Sequence, residues 1–228
     1  MIQSYTGFRT ISRGVINGIQ RPLLNGEFEF IWSPLDQGYW PDGIYTPPTV
    51  EAMRYDLERL KEVGFNAVRK HIKVEPALYY KAADELGFML IQDMPSLRPD
   101  LPDLNDTCRT IRLESQDVQQ EFNRQVALLV EQLKSYPSII AWTIYNEEWG
   151  QSTNASLPWP EFYLTDLIRS LDPTRLVNAA SGWTDHTAGD FDVSEYTRQT
   201  QLCQFIDRNS RTTTTTRRPS VARRSGGW

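Results

Sequence analysis

Between residues 45 and 192, short apolar runs alternate with longer stretches whose apolar residues recur every three or four positions. Apolar runs of about 4–8 residues have strand length, whereas a period near 3.6 marks a helix with one buried face. Strict alternation of the two builds βα units around a parallel sheet, because a strand reaches its parallel neighbour only through a crossover. The punctuation agrees. Pro47, Pro48 and Thr49 announce a helix start, Met53, Leu57, Leu60 and Val63 give it an apolar face, and Gly64 ends it. Phe65–Arg69 reads as a strand. Pro76 opens a second helix through Leu78, Ala82 and Leu86 that Gly87 stops, and Phe88–Ile91 is a strand apolar throughout, as strands covered on both faces are. A third helix carries Val118, Phe122, Val126, Leu129 and Leu133 and ends before Pro137. Ile139–Tyr145 is a strand, Pro160–Leu171 a helix and Leu176–Ala180 a strand. With an earlier strand near Glu29–Ile31, the pattern predicts an α/β domain of five strands and four intervening helices. The segment from Pro95 to Glu114 is too long for a simple connector.

Each predicted strand ends in polar residues: Asp36-Gln37, Arg69 with His71, Gln92-Asp93, Asn146-Glu147-Glu148-Trp149 and Ser181-Gly182-Trp183. Parallel barrels build their sites from the C-terminal ends of their strands, so these clusters share one face of the sheet. A carboxylic acid beside an amide, with tryptophans nearby, suits protonation of a glycosidic oxygen while indole packs on a sugar face.

Charge separates the chain into two parts. The formal net charge is −5, yet Ser194–Trp228 holds seven arginines against Glu195 and Asp207 and contains an unbroken Thr212–Thr216 run. The body is therefore strongly acidic, which argues against nucleic acid as its partner. The basic tail lacks aromatic interleaving and is expected to be disordered. No apolar run approaches the ~18 residues of a membrane span, and no leader pattern is visible after Met1. Two cysteines and two histidines make neither a disulfide framework nor a zinc set.

Four separated motifs resemble glycoside hydrolase family 2. Asn66-Ala67-Val68-Arg69-Lys70-His71, followed by Gly87–Ile91, is similar to the first signature of that family, and Trp142–Glu147 to the second. Leu35–Gly43 and Gln92-Asp93-Met94-Pro95 are similar to a β-galactosidase-like branch. The resemblance covers roughly residues 4–192. It implies a partial (β/α)8 TIM barrel, strands one to five, over residues 23–193, preceded by the end of a β-sandwich in residues 1–22. It implies a retaining β-glycosidase acting on a terminal β-glycoside, with carbohydrate as partner and no cofactor for the chemistry. Glu147 matches the general acid/base, with a pKa expected to be raised by burial and by a nearby nucleophile carboxylate. Asn146 matches the amide that bonds the sugar 2-hydroxyl, and Arg69 the arginine that fixes the nucleophile. His71, Asp93, Trp149 and Trp183 would wall the sugar pocket. The family's second carboxylate, on a strand beyond the fifth, has no counterpart after Asp192, so the chain is expected to be truncated and to lack its nucleophile. Two other readings compete: an inactive carbohydrate-binding remnant, and another barrel of the same clan, such as a family 5 endoglycanase, whose acid also follows an asparagine.

Overall fold

The structure is a computed structural model that describes residues 4–97, 116–147, 150–151, 159–182, 186–194 and 202–204. The described residues form two sheets. The first is antiparallel, formed by β1 (Ile11–Ile16), β2 (Ile19–Leu24) and β3 (Glu27–Phe28) in the order β1-β2-β3. Asn17-Gly18 and Asn25-Gly26 make its turns, all four residues at positive φ, where asparagine and glycine are tolerated best.

The second sheet has the order β10-β9-β8-β7-β6-β5-β4. Its strands are β4 (Leu35–Asp36), β5 (Ala67–Lys70), β6 (Met89–Asp93), β7 (Ile139–Asn146), β8 (Leu176–Ser181), β9 (Asp192–Ser194) and β10 (Leu202–Gln204). From β4 to β9 the neighbours pair in parallel, and β10 turns back antiparallel on β9. The helices are α1 (Val50–Glu62), α2 (Ala77–Leu86), α3 (Gln116–Leu133) and α4 (Pro160–Leu171), each lying between consecutive strands from β4 to β8. Strands β4 to β8 with their four helices are the expected partial barrel; β9 and β10 extend it beyond the five strands expected, and β10 lies within the tail read from sequence as disordered. None of the described helices is long and apolar enough to cross a membrane.

The helix boundaries follow the predicted signals. Thr49 caps α1 by accepting from the Ala52 amide at 3.1 Å, and Gly87 ends α2 in the left-handed conformation. Three facing assignments need correction. Val63 is 72% exposed, because it lies past the last turn of α1. Leu78 is exposed too. The buried face of α2 is formed by Tyr79, Tyr80, Ala82 and Ala83, where two small residues admit the helix to the sheet and two rings fill the space beside it. Val118, near the start of α3, is also exposed, while Phe122, Val126, Leu129 and Leu133 are buried.

The first barrel strand is also displaced. A strand was expected at Glu29–Ile31, but the ladder onto β5 runs further along. The amides of Ala67, Arg69 and His71 donate to the carbonyls of Trp32, Pro34 and Asp36. Pro34 has no N–H to return, so the regular strand shrinks to Leu35–Asp36.

Alternation along the strands gives the sheet two unlike faces. The helix-side face holds the main core, with Val68, Leu90, Trp142, Ile144 and Val177 under Leu57, Tyr80, Phe122, Val126 and Leu164. On the inner face, Ala67, Met89, Ile91, Ile140, Ala141 and Phe191 cluster near the N-terminal ends of the strands, and Ile11 and Leu24 of the first sheet pack against them. The antiparallel sheet thus covers the apolar floor of the partial barrel. A buried polar cluster of Arg69, Asp93, Asn146 and Ser181 lies at the opposite, C-terminal ends.

A buried ion pair ties the end of α4 to β7 and β8. Arg175 Nη1 donates to Asp172 Oδ2 at 2.7 Å, while its other nitrogens donate to the carbonyls of Ile139 and Tyr136. Burial alone would raise the Asp172 carboxyl. Hydrogen bonds from Thr174, the charge of Arg175 and the Trp142 indole N–H outweigh it and hold the carboxyl below its usual value. A folded-state pKa below the unfolded one contributes stability that is present above about pH 4 and lost as pH falls through the folded value. Urea titrations should therefore show a loss of stability on acidification from pH 5 to 3 that Asp172→Asn reduces, together with lower stability of that variant at pH 7.

Candidate active site

The C-terminal ends of β5 to β8 converge on one buried hydrogen-bonded cluster. Arg69, on β5, is fully buried and shares the inner face with Ala67. Its Nε bonds Asp93 at 3.0 and 3.2 Å, and its Nη2 bonds Asp93 Oδ2 at 2.8 Å. The same Nη2 reaches Asn146 Oδ1 at 2.9 Å and Ser181 Oγ at 2.6 Å. One guanidinium therefore joins β6, β7 and β8. It is the side chain suited to this, since its charge persists when buried and its donors are fixed in a plane.

Asp93 ends β6 and is 1% exposed. Both its oxygens are engaged, Oδ2 also accepting from the Ile72 amide at 3.3 Å. Ile72 has φ +47°, a costly conformation for a β-branched residue, which turns that amide back toward the carboxylate.

Asn146 ends β7. Its Oδ1 accepts from Arg69 Nη2, from Ser181 Oγ at 3.0 Å and from His71 Nε2 at 2.8 Å. Arginine can only donate, so the atom facing it must be the amide oxygen. This fixes the orientation of the amide. Among the described residues none accepts from Nδ2. His71 is buried, and its Nδ1 faces Gln37 Nε2 at 3.2 Å.

Glu147 follows directly. Its amide donates to the Ser181 carbonyl at 2.7 Å, extending the β7–β8 ladder by one bond. Its φ is +55°, so the chain leaves the strand there in the left-handed region, a strain of the kind found at functional sites. Gly182, at φ +83°, lies alongside: a Cβ on it would sit 3.7 Å from Glu147 Cγ. Glu147 is half-buried and belongs to the same strand-end face as Arg69, to which its neighbour Asn146 is bonded.

Beside this cluster lies a second network of charges. Lys70 Nζ lies 2.7 Å from Asp36 Oδ2 and 2.5 Å from Glu75 Oε1, and Lys73 Nζ lies 3.1 Å from Glu75 Oε1. Asp36 Oδ1 accepts from the Gly38 amide, and Lys73 Nζ donates to the Gly38 carbonyl at 2.6 Å. Any Cβ on Gly38 would collide with Glu75 and Lys73. The turn after β4 is thus clamped on both sides of Gln37.

Of the residues read from sequence, Arg69, His71, Asp93, Asn146 and Glu147 come together. Trp149 and Trp183 lie outside the described residues, as do Glu148 and most of the Pro95–Glu114 segment. Ser181 and Gln37 were named as strand-end residues but not as members of the site. Their signal is positional, each standing at the end of the strand beside a site strand. Lys73 and Glu75 carried no such signal. Among the described residues there is no group of three or more His, Cys, Asp or Glu side chains that could hold a metal ion.

Comparison with known proteins addresses the family of the chain and its fold. The chain is 29% identical over 203 residues to a beta-galactosidase of Psychromonas ingrahamii, covering 84% of this chain and 17% of that protein. It is 25% identical over 209 residues to a putative beta-glucuronidase of Formosa agariphila, covering 90% of this chain and 18% of that one. It therefore spans less than a fifth of the length of these relatives. Among solved structures, a beta-glucuronidase of an uncultured Clostridium superposes with a TM-score of 0.64 at 20% identity, covering 82% of this chain and 32% of that one. A Parabacteroides merdae beta-glucuronidase with glycerol in its active site also gives 0.64, at 19% identity and 82% against 22% coverage. The model of the glycosyl hydrolases family 2 TIM barrel domain matches residues 48–223, past the point where the sequence motifs stop. With that match over most of its length and the strand-end cluster in place, the chain belongs to glycosyl hydrolase family 2, as a TIM barrel domain of that family.

Proposed function

We propose that this chain carries the acid/base half of a retaining β-glycosidase site. Glu147 gives its proton to the glycosidic oxygen as the bond to the anomeric carbon breaks, and later takes a proton from the incoming water. Asn146 presents its Nδ2 amine to a sugar hydroxyl. Arg69 holds Asn146 and Asp93 in place, and His71 supports the amide from the other side. The observation that carries this reading is the three-donor grip on Asn146 Oδ1, which leaves only the N–H groups of that amide to offer a ligand, in the residue next to Glu147.

A retaining mechanism also needs a nucleophilic carboxylate about 5–5.5 Å from the acid. Asp93 is unsuited, because Arg69 and Ile72 occupy both its oxygens. We infer that the described cluster does not itself supply the nucleophile and that the chain is a truncated barrel. The substrate class is a terminal β-glycoside; relatives named as beta-galactosidase and beta-glucuronidase leave the sugar between a neutral hexoside and a uronide.

The test is an assay with aryl β-galactoside and aryl β-glucuronide. The chain alone should show no turnover above background. Joined to the closing strands and nucleophile of a family relative, it should hydrolyse one of them, with the β-anomer as the first product. Robust turnover by the chain alone would refute the missing nucleophile, and an α-anomer as first product would refute retention. A completed barrel that binds sugar without cleaving it would favour the inactive remnant.

A further inference from the structure

We propose that Gln37 is a positioning residue that fixes the protonation pattern of the His71 ring, and through it the orientation of the Asn146 amide. The inference deepens the function proposed above and rests on it for its consequence, but its own test reads the ring directly.

Arg69 sets the arrangement. Its Nη2 can only donate, so Asn146 must turn its oxygen toward it. His71 Nε2 lies 2.8 Å from that same oxygen, so Nε2 must carry a proton. The other ring nitrogen, Nδ1, faces the Gln37 side-chain amide at 3.2 Å, and a proton there as well would make the ring a cation beside the Arg69 guanidinium, which shares the Asn146 oxygen. Nδ1 is therefore the bare nitrogen and accepts. The ring is held as the Nε2–H tautomer between a donor behind it and an acceptor in front. The Asp93 carboxylate of this cluster is committed to Arg69 and the Ile72 amide.

Gln37 is built to stay there. Its neighbours on both sides are clamped: Asp36 by Lys70, and Gly38 by Lys73 against Glu75. The Asp36 side chain closes the turn on the Gly38 amide at 2.7 Å. The turn therefore presents the Gln37 amide at one place relative to His71, and a glutamine there, unlike a carboxylate, leaves Nδ1 unprotonated. With Nε2–H held on Asn146, three donors grip Oδ1 and fix which way the Nδ2 end of the amide is turned.

The chain contains only two histidines, His71 and His186, so ring nitrogen spectra can be assigned with a single His186→Gln control. Long-range proton–nitrogen correlation on the nitrogen-15-labelled chain at pH 7 should show His71 Nε2 protonated and Nδ1 bare and hydrogen-bonded. Gln37→Leu should shift Nδ1 toward the position of a bare nitrogen with no donor while Nε2 stays protonated. Gln37→Glu should place a proton on Nδ1. The proposal is overturned if the unmodified chain shows Nδ1 protonated, or if neither variant moves the Nδ1 signal while the backbone amide spectrum stays that of the unmodified chain. The spectrum of the unmodified chain decides the tautomer even where a variant does not fold. If these spectra come out as expected but Glu147 proves dispensable for hydrolysis, the function proposed above fails and the positioning role stands.

Discussion

Replacing Glu147 by glutamine in a barrel completed with a nucleophile should slow hydrolysis of an alkyl β-glycoside by about 10²–10⁴-fold, the usual contribution of a general acid. Glutamine keeps the shape of the side chain and its place beside Gly182, so sugar binding should be preserved. What is lost is a proton for the leaving oxygen. That loss matters in proportion to how poorly the group leaves unaided. A dinitrophenyl glycoside, whose phenolate departs without protonation, should therefore lose far less in the bond-breaking step than an alkyl glycoside. Rates for both substrates measured on the same preparation give the comparison. An equal loss for both would point to damaged binding rather than to missing acid.

The largest effect on stability is expected at Arg69. Arg69 and Asp93 are each only 1% exposed, and the guanidinium also satisfies Asn146 and Ser181. Arg69→Met keeps much of the volume but leaves a buried carboxylate with no cation beside it. Breaking one side of a buried pair typically costs about 3–5 kcal/mol, a large part of the about 5–15 kcal/mol that holds a domain together. Urea unfolding should show that loss, and Arg69→Met combined with Asp93→Leu should recover part of it, since the stranded charge is then gone. A loss below about 1 kcal/mol would mean that the pair is not buried as described.

Much of this was legible in the sequence because the fold writes itself in local code. Strands apolar throughout, such as Phe88–Ile91, with helix stops such as Gly87, give a parallel α/β sheet without reference to any relative. The strand-end rule then selects Arg69, Asp93, Asn146 and Glu147 at one end of the sheet, and the structure bonds Arg69 directly to both Asp93 and Asn146. Where the reading failed, long-range packing had overridden local pattern. The spacing of Leu78, Ala82 and Leu86 is a valid helical stripe, but the rings of Tyr79 and Tyr80 bury more area, and α2 turns to place them inward. The first barrel strand slid along because only Leu35 and Asp36 pair regularly with β5, a register that no local signal announces. Gln37 was passed over for a similar reason. Its importance lies in facing His71 across 34 positions of sequence, which composition and periodicity do not encode.

The central claim, that Glu147 is the acid/base of a retaining site, is tested most directly by azide rescue of Glu147→Ala in the completed barrel. With a dinitrophenyl glycoside the glycosyl-enzyme still forms, but water attacks it slowly without a general base. Azide needs no base and fits where the carboxylate stood; its attack breaks the ester bond to the nucleophile and forms a β-glycosyl azide. The account predicts turnover that rises with azide concentration in the variant but not in the parent, with the β-azide as product. No rescue from a folded, sugar-binding variant, or an α-azide product, would contradict it.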